Sequence, residues 1–181
     1  MERVAIGAGD FELTLDELRV VARYAVESAQ EVLTIFEAAH PGDTRPRTAV
    51  EAAWTFANGA PRTKLQRVAS LDAHRAAKAA DSEAARHAAR AAGDAASAAY
   101  LHPLAKATQV GHILRATASA ARAAELRAGD DPAVGDALIQ QARQRATPVL
   151  IDVLGRYPLA PTGRSRAAHL MKTLDSSLRT P

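Results

Sequence analysis

The stretch AHRAAKAADSEAARHAARAAGDAASAA, Ala73 to Ala99, decides how the rest of the chain is read. About half of it is alanine, the residue with the highest intrinsic helix propensity. The interruptions at His74, His87, Gly93 and Ser97 fall at helical spacing, and Asp81-Ser82 supplies a break and a cap midway. Small residues at three- and four-residue steps let two helix backbones approach closely. The block therefore predicts the tightly packed centre of a helical bundle and not a low-complexity tract. No period of roughly 30–45 residues recurs, which excludes a repeat array.

Composition extends that reading to the whole chain. Of the 181 residues 48% are hydrophobic but only 4% aromatic, so the apolar content is largely alanine and leucine. The β-branched and aromatic residues that favour strands are sparse. The expected fold is all-α, a single-domain bundle of about six to seven helices with an alanine-rich centre, a length that suits one core. Residues 1–13 are expected to be irregular, 14–128 to form the helical core, and 129–181 to add C-terminal helices that pack on it.

Local signals mark the helix ends. Thr14-Leu15-Asp16-Glu17 is a capping box that opens the first helix. Leu18, Val21, Ala22, Ala25, Ala29, Val32, Leu33 and Phe36 then trace one apolar stripe to the vicinity of His40, where Pro41 disfavours helical geometry. A second helix is predicted from Pro46 to Asn58, capped by Asp43 or Thr44 and ended by Gly59. Thr63-x-x-Gln66 begins a third, and Asp81 or Ser82 a fourth that runs to Leu101. Pro103 marks a fifth start or a kink, with helix to Ala128. Gly129-Asp130-Asp131-Pro132 is a turn before a sixth helix to Gly155, in which Pro148 should break or bend the last turns. A loop over residues 157–163 leads to a last helix, Ser165 to Leu178, with Leu170, Met171, Leu174 and Leu178 as its apolar face.

Charge and residue usage exclude several classes. The 23 basic and 20 acidic residues leave a formal net charge of +3, and they are interspersed along the helices, unlike the basic runs of a nucleic-acid binder. No cysteine is present, so there is no disulfide framework, no thiolate zinc site and no thiol nucleophile. The opening MERVAIGAGDFELT lacks a signal-peptide pattern, and no apolar run approaches the roughly 20 residues of a membrane span. A cytoplasmic protein with no nucleic-acid or membrane partner is expected.

Catalytic motifs are equally sparse. Glu37-x-x-His40 has the spacing of a di-iron ligand pair, but that site needs the motif twice and facing glutamates besides. There is no Gly-x-Ser-x-Gly elbow and no phosphate-cradling glycine run. Six histidines occur, and none forms a His-Glu-x-x-His pair, so no metal and no cofactor is expected. His74, His102 and His112 sit among small and apolar neighbours, where an imidazole N–H needs a partner. Together they would make the lining of a pocket between the alanine-rich helices.

The second candidate site is the corner Glu37–Trp54, EAAHPGDTRPRTAVEAAW. Arg45 and Arg47 flank Pro46 at a helix start, the unfavourable end for cations. Asp43, Glu37 and Glu51 are the local acids that could offset them, and Arg47 with Glu51, one turn apart, could pair directly. The corner is expected to be braced by salt bridges with Trp54 or Phe56 packed into it. An outward-facing guanidinium and indole would instead suit a protein interface.

The order Val32-Leu33-x-Ile35-Phe36-Glu37, Pro41, Asp43-x-Arg45-Pro46-Arg47-x-Ala49-x-Glu51-Ala52 and Gly59, followed by Ala73-His74-x-Ala76-Ala77 and Ala88-Ala89-Arg90-Ala91-Ala92-Gly93-x-Ala95, resembles a small bacterial domain. This is the Imm-5-like family, described as a putative immunity protein, and the likeness runs from Leu13 to Ala124. The resemblance implies an all-helical fold and neutralisation of a toxin by steric binding, without cofactor or turnover. Asp43, Arg45, Arg47, Glu51 and Trp54 would then brace the corner or touch the partner. The competing reading is a small-ligand binder or an enzyme of a biosynthetic cluster built on His74, His102 and His112. A third is a purely structural or regulatory helical module, which could dimerise through the apolar face of the last helix, although docking on its own bundle is the favoured fate of that face.

Overall fold

Eight α-helices make up the regular elements of this computed structural model, which describes residues 9–181. They are α1 (Leu15–Ala39), α2 (Arg45–Ala57), α3 (Lys64–Ala79), α4 (Glu83–Ser97), α5 (Val110–Arg127), α6 (Pro132–Arg145), α7 (Pro148–Gly155) and α8 (Arg166–Arg179). The all-α expectation holds, with one helix more than the upper count. Of the segment expected to be irregular, the first eight residues lie outside the described ones.

The alanine block forms α3 and α4, and α4 is the axis of the bundle. It packs against α1, α2, α3 and α5. From Ala91 to Ala96 every residue is buried, and of these only Asp94 lines a cleft. A helix enclosed on all sides can have neighbours close to its backbone only if its side chains are small. Gly93 shows the limit: a Cβ there would lie 2.8 Å from the His74 ring of α3.

Caps fall where local chemistry put them. Thr14 with Glu17, and Thr63 with Gln66, form reciprocal capping boxes, and Ser82 caps α4 by accepting from the Ala85 amide. Asp43 accepts from the Arg45 amide at 3.1 Å, while Thr44 occupies the cap position of α2 without a side-chain bond. Gly59 ends that helix with φ +109°, where a side chain would be strained.

Two boundaries differ from expectation. The fifth helix begins at Val110, seven residues beyond Pro103. Between them, His102 to Lys106 is tied down as irregular chain: the Asp10 amide donates to the Pro103 carbonyl at 2.8 Å, and the Ala105 amide donates to the Asp10 carboxylate at 2.8 Å. Those backbone groups are thus committed to the N-terminal segment and unavailable to a helix. Pro148 does break the sixth helix, and completely. It stands at the first position of α7, with Thr147 capping through the Leu150 amide, which accounts for the additional helix.

Three arginines fasten the C-terminal helices. Arg166 of α8 donates to Glu125 of α5 at 2.6 and 2.9 Å, and Arg122 donates to the same carboxylate at 2.8 Å. Glu125 is wholly buried. Arg156 clasps Glu17 of α1 at 2.6 Å, and Arg179 holds the buried Asp175 while donating to the Tyr157 and Pro158 carbonyls. Leu170, Leu174 and Leu178 are buried and Met171 packs against the core. The apolar face of α8 is therefore docked on its own bundle, the fate favoured for it.

Candidate functional site

The corner between α1 and α2 is a braced seam. Arg47 reaches back to α1 and makes a bidentate pair with Glu37, at 2.6 and 2.9 Å. Arg45 chelates Asp43, with Nε 2.9 Å from Oδ1 and Nη2 2.6 Å from Oδ2, and this pairing holds the Asp43 carboxyl below its ordinary range. Two turns on, the Trp54 indole donates to the Gln30 side chain, and the Arg23 guanidinium lies 5.2 Å over the same ring. Arg23 also donates to Asn58 Oδ1 at 2.7 Å, and Arg19 to the Gly59 carbonyl at 2.9 Å. Arg47 and Trp54 thus stand on one line of α1–α2 contacts.

Glu51 stands apart from that line. It is exposed, and Arg47 turns to Glu37 rather than to it. The bidentate fork fits a carboxylate presented from a neighbouring helix better than one four residues along its own helix. Phe56 is fully buried and Trp54 half-buried, so both aromatics pack, one into the core and one along the seam.

The three histidines do not converge. His102 and His112 line a small pocket of about 310 Å³ beside α3, together with Arg67, Ser70, Leu71 and Tyr100. His112 Nδ1 lies 3.3 Å from the Ser97 hydroxyl, and burial lowers its pKa, with the nearby Arg115 charge adding to the effect. His74 faces a different and larger cleft of about 740 Å³ between α3, α4, α5 and α8. The shared pocket expected of His74, His102 and His112 is therefore replaced by two. The cause is helical register: His74 sits against Gly93, whereas His112 sits one turn further along α4, against Ser97.

The larger cleft holds ionisable residues beyond the expected site, among them Glu83 and His87, which read in the sequence as an ordinary i, i+4 helix pair. Glu83, His87, Arg90 and Asp94 line it from α4 at steps of four, three and four, which places them on one face. Arg115 enters from α5, its guanidinium folded over Gly111 so closely that a Cβ there would lie 2.0 Å from Nη2. Asp94 is 5% exposed, with His74 Nε2 at 3.5 Å and Arg115 Nε at 3.9 Å. His87 has a buried Nδ1 without a partner among the described residues, and burial followed by the Arg90 charge lowers its pKa. That 4-3-4 spacing of ionisable residues inside an alanine helix was visible in the sequence.

Among the described residues, no cluster of three or more His, Cys, Asp or Glu side chains has metal-binding geometry. No helix among them is long and apolar enough to cross a membrane.

The family described as Imm-5 like putative immunity protein matches residues 12–148. The match continues beyond Ala124 through the whole of α6. No curated protein and no solved structure matches the chain.

Proposed function

The chain belongs to the Imm-5-like family of putative immunity proteins, and from that premise we propose that it binds a protein toxin and neutralises it by covering a surface the toxin needs. Family membership carries the reading. The chemistry of the outer face of α3 supports it and suggests where the contact lies.

Leu65, Val68 and Leu71 recur every three residues on α3 and are 46%, 53% and 50% exposed. Each is half-covered already, so full burial would contribute about 1 kcal/mol apiece. Lys64, Arg67, Arg75 and Lys78 surround them and are exposed, and Asp72 is the single acid of that face, held by Arg75 at 2.7 Å. An apolar stripe rimmed by cations complements an acidic partner surface with an apolar centre. The corner arginines suit such a contact less well, because Arg45 and Arg47 are already committed to Asp43 and Glu37. In this reading Asp43, Arg45, Arg47 and Trp54 hold the seam, and Glu51 is a solvated surface acid.

The test is neutralisation itself. A protein captured from the native host by the tagged chain is expressed alone and then together with it. Growth arrest by the captured protein, relieved by co-expression, is the expected outcome. A captured protein that is harmless when expressed alone would remove the immunity reading.

A further inference from the structure

The cleft between α3, α4, α5 and α8 is separate from the outward stripe of α3 and has its own chemistry. Its most unusual member is Asp94, a carboxylate that is 5% exposed yet accepts no hydrogen bond from the described residues. A buried carboxylate ordinarily accepts two or more hydrogen bonds, because an unmet charge is costly. Arg115 at 3.9 Å is near enough to offset its charge without bonding it, and His74 Nε2 at 3.5 Å stands at the limit of a hydrogen bond. A donor placed in the cleft would complete the set.

The opposite charge is also present, free at Arg90 and only weakly held at Arg115. Arg90 is exposed at the cleft and makes no ion pair or hydrogen bond with the described residues, and Arg115 has only its long contact to Asp94. The other acid of the lining, Glu83, is engaged by Arg86. The cleft thus offers an acceptor in its wall that is only loosely met, one free guanidinium, and a second, Arg115, held by nothing among the described residues but its 3.9 Å contact to that acceptor, a pattern that neither a simple anion nor a simple cation satisfies. Ala118, Ala168 and Met171 supply an apolar wall beside them. The volume of about 740 Å³ lies in the ordinary range of small-molecule sites.

We propose that this cleft binds a small zwitterion of the amino-acid class, free or as a short peptide, with its ammonium on Asp94, its carboxylate on Arg90 and Arg115, and an apolar side chain against α8. Both charges of the ligand are recognised, so the site selects against molecules that carry only one.

Calorimetric titration of the full chain with L-leucine, L-phenylalanine and glycyl-leucine at millimolar concentrations tests this. At least one is expected to bind, and preference between free amino acids and the dipeptide identifies the source. N-acetyl-L-leucine and L-leucinamide, or their dipeptide counterparts, should bind about tenfold or more weakly, since each lacks one charge-assisted contact. Asp94→Asn and Arg90→Gln should weaken the parent ligand similarly. Arg90→Gln removes no ion pair or hydrogen bond among the described residues, so its thermal midpoint is expected to stay at the wild-type value and serves as the folding control. Absence of binding by all three probes, or binding unaffected by both substitutions, overturns the proposal.

Discussion

At the scale of single residues, Glu125 carries more of the structure than its sequence context suggested. With Arg122 three positions before it, it reads as an ordinary solvated helix pair, yet it is fully buried and receives Arg122 and Arg166 together. Its backbone carbonyl also accepts from the Ala128 and Asp130 amides. Removing one partner of a buried charge pair leaves the other uncompensated, so Glu125→Ala is expected to cost about 3–5 kcal/mol in urea unfolding. Gly135 adds a sharper test. Glycine to alanine within a helix normally stabilises by about 1 kcal/mol. Here a Cβ would lie 2.1 Å from Glu125 Oε1, so Gly135→Ala is expected to destabilise instead, with a lower thermal midpoint as the readout. Burial of a charge depends on what a distant segment brings to it, and nothing near Glu125 announced Arg166.

Glu17 illustrates a second residue-scale consequence, this time in pH. Hydrogen bonding to Arg156 lowers its pKa from an ordinary value of 4.5, with burial acting in the opposite direction. A carboxylate with a depressed folded-state pKa stabilises the protein above its unfolded value, and that stability is lost as pH falls through the folded one. Acid unfolding followed below about pH 4.5 should therefore show a contribution that Arg156→Gln reduces, the part due to the Thr14 capping box remaining. An identical acid midpoint in wild type and variant would contradict the assignment.

At the scale of elements, the helix ends show what was legible and why. Thr14 with Glu17, Thr63 with Gln66, and Ser82 all cap where expected, because capping depends on residues within one turn. Pro103 is the counterexample. Its local signal for a helix start was overridden when Asp10, far away in sequence, took up the backbone groups of that segment. The corner was half legible: that its arginines would be neutralised was readable, but the choice of Glu37 over Glu51 depended on how α1 and α2 approach. Arg47→Ala and Trp54→Ala remove contacts along that seam. Both are expected to lower the thermal midpoint without changing affinity for a partner. Weakened partner binding at unchanged stability would move the interface from α3 to the corner.

At the scale of the whole molecule, the alanine-rich centre explains both the compact packing and the surfaces left over. Because α4 contributes small side chains, five helices close on one another with little bulky apolar mass between them. Overpacking that axis should be poorly tolerated: Ala92→Leu is expected to cost about 1–3 kcal/mol or more, measured by denaturant unfolding. The larger apolar residues that remain exposed on α3 stand out against this core. The immunity reading rests on the family and on that face, and Val68 lies at the centre of it.

The most direct test is the affinity of the captured toxic partner for the wild-type chain and for Val68→Asp, measured by native mass spectrometry with circular dichroism as the folding control. A defined complex with the wild type, lost in a Val68→Asp protein of unchanged helicity, is the result predicted here. A partner held equally well by both would contradict α3 as the neutralising surface.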